Sequence, residues 1–590
     1  MSETKEKKHF IGDHYYYTDN GTLYYCEPII KDGETVGTTE TAIANHTPIL
    51  KEQRVIDNGI ETNEELVFNV LRDFHRGIDT AVTLKEILGQ TPQAKFGAAC
   101  RIFLGRGAKS RYSEAMQIQC ENAPCSTLYQ HTGYTVIDGE RVFLNGGNSV
   151  TAEGMTDKYN VVFGGQQTGL SNYGFTEERN TERYNTLLKL LPGTTTPEVL
   201  FPSYGLVFLT PLNAVLRELG IEPRFILYFT GKTGSGKSSW AALMLNFFGR
   251  FAYTEKTLHF RDTVNAIEKV FALTDSTLVL LDDRIPSTTA KVRVQMESIE
   301  QAVARQIGDR SGRARMNADG SLKAVYRPKC NVIITAEDSF SNVGESAIAR
   351  SISVSLKPGI IDIDALIGVY KNASHLNECM GDYIQYILKN WDNLQEKLKP
   401  MFYEFREKAQ NNGHGRLVDC VAHLQIGISI FCEWLLSVGV IDQNAADNIK
   451  SRSWSVYMEL AEQQNKRIAD EKPVKLFLDA LKEMLDRGTV RFMGVDDNSG
   501  FTSEKVIGFK DDEFYYCYPD SIYSEVRKFY AAQDKSFPLG KSALFQQLET
   551  DALIEAGNGQ TTKLKRIQGK RSRFLWLRAA ALDAEEVTDE

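Results

Sequence analysis

The stretch that decides the fold is Arg224-Phe-Ile-Leu-Tyr-Phe-Thr230, followed by Gly231-Lys-Thr-Gly-Ser-Gly-Lys-Ser238. The apolar residues of the first part predict a short buried strand. The second part matches the phosphate-binding pattern G-x-x-x-x-G-K-[ST] at every fixed position. Because Ser239 to Phe248 continues as a predicted helix, the order is strand, glycine-rich loop and helix. This order predicts a loop whose backbone N–H groups, together with the helix amino terminus, bind phosphate groups.

The loop predicts ATP and Mg²⁺ as ligands. Lys237 is expected to reach the β- and γ-phosphates, and the Ser238 hydroxyl is expected to ligate Mg²⁺. A glycine-rich turn without a ligand is the alternative, but it does not explain why a strand, the Lys-Ser pair and a helix all stand in order. The residues predicted to bind the nucleotide are Gly231, Thr233, Gly234, Ser235, Gly236, Lys237, Ser238 and Ser239.

Two further apolar strands end in polar residues that complete the predicted site. Thr277-Leu-Val-Leu-Leu-Asp282-Asp283 carries paired carboxylates. Asp282 is expected to hold Mg²⁺, mainly through water, and Asp283 to orient the attacking water as general base. Asn331-Val-Ile-Ile-Thr335-Ala-Glu337 has a polar tip, where Thr335 is the candidate contact to the γ-phosphate and Glu337 is the more unusual residue. A strand that simply ends in polar residues is the alternative for this third strand.

An arginine precedes a further predicted strand, in Gly344-Glu-Ser-Ala-Ile-Ala-Arg350-Ser. An arginine at this place can reach the nucleotide of a neighbouring subunit and stabilise the charge of the transition state. We therefore predict Arg350 as an arginine finger, with an ordinary surface salt bridge as the alternative. The predicted catalytic residues are Lys237, Asp282, Asp283, Thr335 and Arg350.

Lysine and arginine are concentrated in two segments that are candidates for DNA contact. Residues 310–327 predict a basic β-hairpin around the turn Asn317-Ala-Asp-Gly320, directly before the third strand. In a ring this hairpin would point into the central channel and contact phosphates, whereas a solvated hairpin against a neighbouring subunit is the alternative. The residues concerned are Arg310, Arg313, Arg315, Lys323 and Arg327.

The second basic segment lies near the carboxyl end. Phe537 to Leu548 predicts a helix, and Lys563 to Leu577 predicts a two-stranded basic ribbon with a glycine turn. Helices followed by such a ribbon are the layout of a winged helix, a module that contacts duplex DNA or another protein. The candidate DNA contacts are Lys541, Lys563, Lys565, Arg566, Lys570, Arg571 and Arg573.

The rest of the chain is organised around these motifs. Residues 1–197 are expected to be β-rich, with an aromatic hairpin over 14–26 around Asn20-Gly21 and an amphipathic helix from Thr62 to Arg76 that ends at Gly77. The predicted fold is an α/β P-loop AAA+ core with a β-rich amino-terminal domain, a helical lid and a carboxy-terminal winged helix. The expected divisions are 1–197, 198–360, 361–473, 474–580 and an acidic tail, 581–590.

Composition limits the class of protein. The chain has 590 residues, enough for several domains, and a net charge of −9. This charge excludes a protein coated in positive charge but not a ring with a basic channel. We find no run of about 18 apolar residues and no apolar signal core, so we expect a cytoplasmic protein without membrane contact. The nine cysteines fit reduced thiols, and Cys120 with Cys125 lacks the second pair that a zinc site needs.

With these motifs in place, the chain resembles a family of large helicase-like ATPases of bacterial mobile elements, which includes the staphylococcal cassette chromosome helicases of the Cch type. The resemblance covers most of the chain. The order of the motifs, more than any one of them, points to the family. Besides the P-loop, the motifs are Tyr129-Gln-His-Thr-Gly-Tyr134, Tyr204 to Pro211, Leu281-Asp282-Asp283, Glu345 to Arg350 and Phe537 to Trp576.

The resemblance implies a hexameric AAA+ ATPase that is similar to minichromosome maintenance helicases and unwinds DNA with 3′-to-5′ polarity. It also implies that Arg350 is the finger, that 310–327 is the pore hairpin and that Arg416 is a second sensor. The chain departs from the minichromosome maintenance pattern at Asp283, where that group usually has glutamate.

Three functions fit these expectations. The first is an ATP-dependent DNA helicase or translocase that replicates a mobile element. The second is an origin-binding initiator or loader that hydrolyses ATP without processive unwinding. The third is a regulatory AAA+ signalling ATPase, which would not need Arg313, Arg315 or Lys323 for DNA binding.

Overall fold

The computed structural model describes residues 9–11, 14–72, 75–89, 92–163, 169–284, 289–337, 348–410, 415–497, 506–533, 535–557 and 559–583. Within these residues, a β-rich first part precedes a parallel sheet with helices, a helical region and a mixed carboxy-terminal region. An α/β core with a β-rich amino-terminal part confirms the predicted fold class at this level. The first four residues of the motif before Arg350 and the predicted acidic tail from 584 onward lie outside the described residues.

The amino-terminal part consists mainly of antiparallel strands. The first strands are β1 (His9–Ile11), β2 (His14–Asp19), β3 (Thr22–Lys31), β4 (Glu34–Ala44), β5 (Thr47–Asp57), β6 (Thr62–Arg72) and β7 (His75–Val82). Two helices, α1 (Leu84–Leu88) and α2 (Ala108–Gln117), precede β8 (Cys125–Tyr129), β9 (Gly133–Ile137), β10 (Glu140–Leu144), β11 (Ser149–Val150), β12 (Met155–Thr156) and β13 (Asn160–Val161). The strands form sheets with the orders β1-β2-β3-β4, β12-β11-β10-β9 and β13-β8-β5-β6-β7.

The predicted aromatic hairpin is confirmed as β2 and β3. Asp19 pairs with Thr22 across the turn, and both central residues have positive φ, 47° at Asn20 and 80° at Gly21. This backbone shape is what a two-residue Asn-Gly turn requires. Tyr16 and Tyr25 point into the core of this region, so at least these aromatic residues are used for packing.

The helix predicted from Thr62 to Arg76 is wrong, because this segment forms β6 and the start of β7. β6 pairs antiparallel with β5, from Thr62 opposite Asp57 to Leu71 opposite Thr47. Every residue from Leu66 to Val70 is buried. A strand with both faces covered does not alternate apolar and polar residues, and its sequence then satisfies the spacing of a helix equally well.

The central part is a parallel sheet with helices. Its helices are α3 (Arg183–Asn185), α4 (Pro197–Leu209), α5 (Asn213–Glu218), α6 (Lys237–Leu245), α7 (Val264–Leu273) and α8 (Ala290–Asp309). Its strands are β14 (Ile226–Thr230), β15 (Leu258–His259), β16 (Leu278–Arg284), β17 (Asn331–Ala336) and β18 (Ser351–Ser355), in the order β15-β16-β17-β14-β18. All neighbouring strands in this sheet run parallel. Their carboxyl ends therefore meet at one edge, where α/β proteins bind ligands.

A helical region follows the sheet. It contains α9 (Ile363–Tyr370), α10 (Ser374–Lys389), α11 (Trp391–Ala409), α12 (Gly415–Ser437) and α13 (Gln443–Asp470). One hydrophobic core runs from Phe143 through the central sheet to Ile468. Short 3₁₀ or π turns lie at Pro92–Lys95, Ile118–Asn122, Gly169–Asn172, Thr186–Leu190, Pro192–Thr194 and Thr210–Leu212.

Among the residues that the structure describes, two segments are long and apolar enough to cross a membrane, Pro197–Glu218 and Gly415–Ser437. Their most apolar stretches are 100% and 83% buried inside the protein. This burial places them in the common core, as α4 with α5 and as α12, where an apolar surface on all sides is expected.

The carboxy-terminal part has a core of its own. Helices α14 (Pro473–Asp486), α15 (Pro519–Ala531) and α16 (Lys541–Thr550) pack on a sheet of order β19-β20-β21-β23-β22, and α17 (Ala580–Asp583) ends the described chain. The strands are β19 (Arg491–Gly494), β20 (Val506–Lys510), β21 (Phe514–Cys517), β22 (Lys563–Ile567) and β23 (Lys570–Arg578). The predicted basic ribbon is thus the β22–β23 pair, joined to a wider sheet that the sequence analysis did not predict.

Candidate functional site

The glycine-rich loop connects β14 to α6 at the carboxyl edge of the central sheet. All five residues of β14 are buried, and α6 begins at Lys237. Gly234 and Gly236 have φ of 85° and 82°, a conformation that other residues adopt only with strain. At Gly231 an added Cβ would lie 2.3 Å from the carbonyl oxygen of Leu356. The glycines are therefore needed for the tight shape of the loop.

The loop fits a phosphate ligand. Within the described protein, the buried Ser235 Oγ has no hydrogen-bond partner, which is costly unless a ligand or water supplies one. Lys237 is only 9% exposed and lies in the first turn of α6. Two positive-φ glycines, an unpartnered buried hydroxyl and a lysine at a helix amino terminus form a site in which phosphate oxygens would find donors.

The two aspartates lie in a β-bulge of β16. Leu281 pairs with Ile334 and Arg284 pairs with Ala336, so two residues, Asp282 and Asp283, lie opposite the single residue Thr335. Asp283 has a φ of 72°, in the left-handed region that aspartate tolerates better than most residues. Asp282 is buried, whereas Asp283 is exposed. The bulge thus turns two consecutive carboxylates in different directions at one strand end.

Thr335 holds this bulge. Its hydroxyl donates a hydrogen bond to Asp282 Oδ1 and accepts one from the backbone N–H of Asp283 at 3.1 Å. Because β17 lies between β14 and β16, Thr335 lies between the strand that leads into the loop and the strand that carries the two aspartates. Its contacts, however, are those of a residue that positions both aspartates.

Glu337 is a residue of the site whose role the sequence analysis did not assign. Its Oε1 accepts a hydrogen bond from the hydroxyl of Thr233 in the glycine-rich loop, and its backbone N–H donates to Arg284 O at 3.0 Å. A signal was present in the sequence, because residues two apart on a strand share a face, and Glu337 follows Thr335 at that spacing. The loop therefore faces a third carboxylate.

Lys256 is a second residue of this edge that the sequence motifs do not indicate. Its ammonium group donates to Ser238 O at 3.3 Å and to Tyr253 O at 2.8 Å. Burial lowers the pKa of Lys256, and the nearby carboxylate of Asp282 opposes that shift. No sequence motif contains this lysine, which precedes β15 by two residues. It brings a second cation to the edge that carries Lys237.

Arg350 lies at the opposite edge of the same sheet, directly before β18. Since β18 has five residues, the two edges are about 17 Å apart, too far for Arg350 to reach the loop of its own chain. The residue is 7% exposed, and its Nη2 donates to Asp309 Oδ1 at 2.8 Å. Its side chain packs on Gly308, where an added Cβ would lie 2.1 Å from Arg350 Cδ.

A cavity of about 480 Å³ lies next to this arginine. Asp309, the partner of Arg350, lines it, and so does Arg416, which was expected to be a second sensor. Arg224 and Arg406 line the same cavity. The structure thus brings Arg416 and the partner of Arg350 together on the edge that faces away from the chain's own glycine-rich loop.

The prediction that Arg310 contacts DNA is wrong. The residue is 8% exposed, and its guanidinium donates to the backbone carbonyls of Pro223 at 2.7 Å and Cys330 at 2.6 Å and to Asn331 Oδ1 at 3.0 Å. It also ends α8 in a left-handed conformation, with a φ of 46°. A side chain buried among these acceptors is structural and cannot reach a phosphate of DNA.

The rest of the 310–327 segment is less regular than the predicted hairpin. Its pairing is confined to the tip, where Met316 bridges Leu322 around the turn at Asn317–Gly320. Arg313 and Arg315 both pair with Glu268, a carboxylate on α7 that is 1% exposed. Lys323 and Arg327 are exposed. Only part of the predicted positive charge therefore faces solvent.

The carboxy-terminal cations likewise fall into two groups. Some have partners inside the protein, and others are exposed to solvent. Lys541 pairs with Asp520 at 2.5 Å, Lys563 pairs with Glu555, and Lys565 lies over the ring of Tyr516 at 3.6 Å. The cations near the tip of the β22–β23 ribbon are exposed, namely Arg566, Lys570, Arg571 and Arg573.

Comparison with known proteins shows the fold of the chain. No protein-family model and no curated protein sequence matches it. Among solved structures, one described as the active helicase Cch of SCCmec type IV has a TM-score of 0.61 to this structure, with 14% sequence identity. The match covers 98% of this chain and 99% of that chain. The resemblance predicted from the order of motifs is therefore confirmed, as a likeness of fold over almost the whole length of both chains.

Proposed function

We propose that the protein is an ATP-dependent DNA helicase or translocase, acting in the cytoplasm as a hexameric ring that replicates a mobile genetic element. The observation that carries the proposal is the carboxyl edge of the central sheet. There a glycine-rich loop with an unpartnered Ser235 hydroxyl follows β14, and the Asp282–Asp283 bulge ends β16 at the same edge, on the other side of β17. The same edge belongs to a fold shared over 98% of the chain with a protein described as an active helicase.

Within this proposal, tasks in ATP hydrolysis belong to Lys237, Ser238, Asp282, Asp283 and Thr335. Lys237 and the loop amides would hold the β- and γ-phosphates. Mg²⁺, held by Ser238 and Asp282, would neutralise phosphate charge. Asp283, exposed beside the loop, would accept a proton from the attacking water, and Thr335 keeps both aspartates in place.

A ring is proposed because Arg350 lies at the edge of the sheet away from the loop. An arginine there can serve only the nucleotide of a neighbouring copy, and it would have to leave Asp309 to do so. Within the ring, the exposed Lys323 and Arg327 are the proposed channel contacts to single-stranded DNA.

The second candidate function is that of an origin-binding initiator or loader. The observation that favours it is the carboxy-terminal arrangement of three helices and an exposed basic ribbon. We propose this arrangement as a winged helix, with α16 in a major groove and the ribbon on the backbone. A protein that binds duplex DNA in this way could melt an origin without travelling along it.

Strand displacement on a forked duplex with ATP tests the proposal, with the Lys237→Ala protein as control. We expect unwinding by the natural chain and none by the variant. ATP hydrolysis without unwinding on any fork, together with a footprint on duplex DNA, would replace the helicase with the initiator.

A further inference from the structure

A segment of the amino-terminal part carries positive charge that the proposed function has not used. From Ile87 to Ser113 the sequence contains five basic residues and no aspartate or glutamate, in a chain with a net charge of −9. Two of the five are neutralised, because Lys95 pairs with Glu86 at 2.8 Å and Arg111 lies 3.6 Å from Glu27. The remaining three are Arg101, Arg106 and Lys109, and all are exposed.

In the sequence these three cations flank an apolar loop tip. Phe103 is 41% exposed and Leu104 is fully exposed, at 105% of its reference area. Among the described residues, the side chains of Arg101, Arg106 and Lys109 make no ion pair and no hydrogen bond, and the backbone N–H of Arg101 donates to Asn45 Oδ1 at 2.7 Å. We name Arg101, Phe103, Leu104, Arg106 and Lys109 the basic tip.

The base of the loop is fixed to the domain. Arg101 and Phe103 hydrogen-bond through their backbones to the end of β4 and the residue after it, with Phe103 N donating to Ile43 O at 2.7 Å and Asn45 N donating to Arg101 O at 3.1 Å. Ile102, between them, packs against the core of this region. The chain therefore half-buries one apolar residue and presents the next two to solvent from an anchored base.

We propose that the basic tip is a second binding site for single-stranded DNA, beyond the contacts proposed for the ring channel and resting on the proposal that the protein acts on DNA. Its chemistry fits that ligand: a phenyl ring can stack on a base, Leu104 can cover an adjacent base, and three uncommitted cations can contact phosphates. Duplex DNA fits less well, because its bases are stacked on one another and offer no free faces to the ring.

A membrane surface is the competing ligand for an apolar tip flanked by cations in the sequence. Two apolar side chains are few for stable membrane binding, which needs the apolar face of a longer amphipathic helix or an acyl chain. The positive charge suits a strand of phosphates, since the Ile87–Ser113 segment lacks acidic residues, and the exposed phenyl ring adds a stacking surface that unpaired bases can use.

Fluorescence anisotropy with a labelled thymidine oligonucleotide, the full chain and no nucleotide tests the site. The variant Phe103→Ala/Leu104→Ala should bind about tenfold more weakly with an unchanged salt dependence, because it loses stacking. The variant Arg101→Gln/Arg106→Gln/Lys109→Gln should lower the slope of log K against log salt by about 2, as expected for three lost phosphate contacts.

Matched controls lie in the same part of the chain. Val136→Ala removes another exposed apolar side chain, 62% exposed, and Lys31→Gln removes another exposed cation. Both controls should bind like the natural chain, and ATP hydrolysis without DNA should be unchanged in all variants, which shows that they fold.

The outcomes separate this site from the proposed function. Unchanged oligonucleotide binding and salt slope in both tip variants would overturn the site while leaving unwinding by the natural chain intact. Tip-dependent binding by a chain that does not unwind would keep the site and remove the helicase. If the tip variants instead lose binding to vesicles that contain anionic lipid, and not to DNA, the ligand is a membrane and the inference is wrong.

Discussion

At the carboxyl edge of the central sheet charged side chains face a glycine-rich loop, whereas at the amino edge arginines are held by partners within the chain. At the first edge, Asp283 is exposed and Glu337 touches the loop through Thr233. At the second, Arg310 is surrounded by carbonyl oxygens and Arg217 pairs with both Asp275 and Glu222.

The difference teaches that the same residue types serve ligand binding at one edge and folding at the other. Removing Lys237 or Asp283 from the carboxyl edge should therefore reduce turnover strongly without unfolding the protein. Removing a buried arginine such as Arg310 from the amino edge should destabilise the fold, and Arg350, which we propose to act on a neighbouring copy, is the exception at that edge. The predictions that follow test this division, from the largest expected effect to the smallest.

Lys237→Ala should reduce ATP turnover by about 10³-fold, because a phosphate donor at the centre of the site is lost. The free energy of unfolding should stay within about 0.5 kcal/mol of the natural value, since no partner inside the protein depends on this side chain for a described contact. Steady-state ATPase assays and denaturant unfolding measure the two quantities. A large loss of stability would contradict the division between the edges.

Arg310→Ala should lower the free energy of unfolding by about 3 kcal/mol, because it leaves the carbonyl oxygens of Pro223 and Cys330 and the amide oxygen of Asn331 without this donor. Arg310→Lys should not restore stability, because one ammonium cannot reproduce the planar set of donors. Urea unfolding gives the value. A stable variant with weakened DNA binding would return Arg310 to the role first predicted for it.

Asp283→Asn should reduce turnover by about 10²-fold while ATP still binds, because the amide cannot accept a proton from water. Asparagine tolerates the φ of 72° at this position, so the bulge should persist and the change should report on charge alone. Binding of a fluorescent ATP analogue and single-turnover hydrolysis separate the two steps. Turnover within a few-fold of the natural chain would remove Asp283 from the role of base.

Glu337→Gln should tighten ATP binding by about fivefold, because a carboxylate against the loop repels the phosphates by about 1 kcal/mol at close range. Glutamine keeps an oxygen for the hydroxyl of Thr233, so the loop should keep its shape. KM for ATP measures the effect, and weaker binding would show instead that the carboxylate helps to hold the nucleotide.

The glycine-rich loop and the acidic strand ends of the carboxyl edge could be placed from the sequence because the information is local. The P-loop is one continuous segment, and each acidic strand is an apolar run with its polar residues at the end. Glu337 was noticed but given no role, because its contact to Thr233 spans 104 residues. A single sequence contains no pattern that predicts a contact over that separation, and none that predicts the β-bulge at Asp283.

The amino edge was predicted poorly for the opposite reason. Arg310 belongs to a run of arginines and differs from Arg313 only in what surrounds it. Its burial depends on carbonyl oxygens 87 and 20 residues away, which no spacing rule supplies. The helix predicted over β6 failed similarly, because two covered faces remove the alternation that marks a strand.

Helix α8 runs from the carboxyl edge to the amino edge of the central sheet as one continuous helix. Near its middle Glu300 accepts from Arg284 at 2.7 Å, next to the Asp282–Asp283 bulge, and from Tyr228 on β14 at 2.9 Å. At its far end Asp309 holds Arg350. The nine residues from Glu300 to Asp309 span about 13 Å, so a tilt of about 4° at the buried pivot moves Asp309 by about 1 Å. A displacement of that size would weaken the Asp309–Arg350 ion pair, so strain at one phosphate site would change the contacts of the arginine that we propose for the nucleotide of a neighbouring copy.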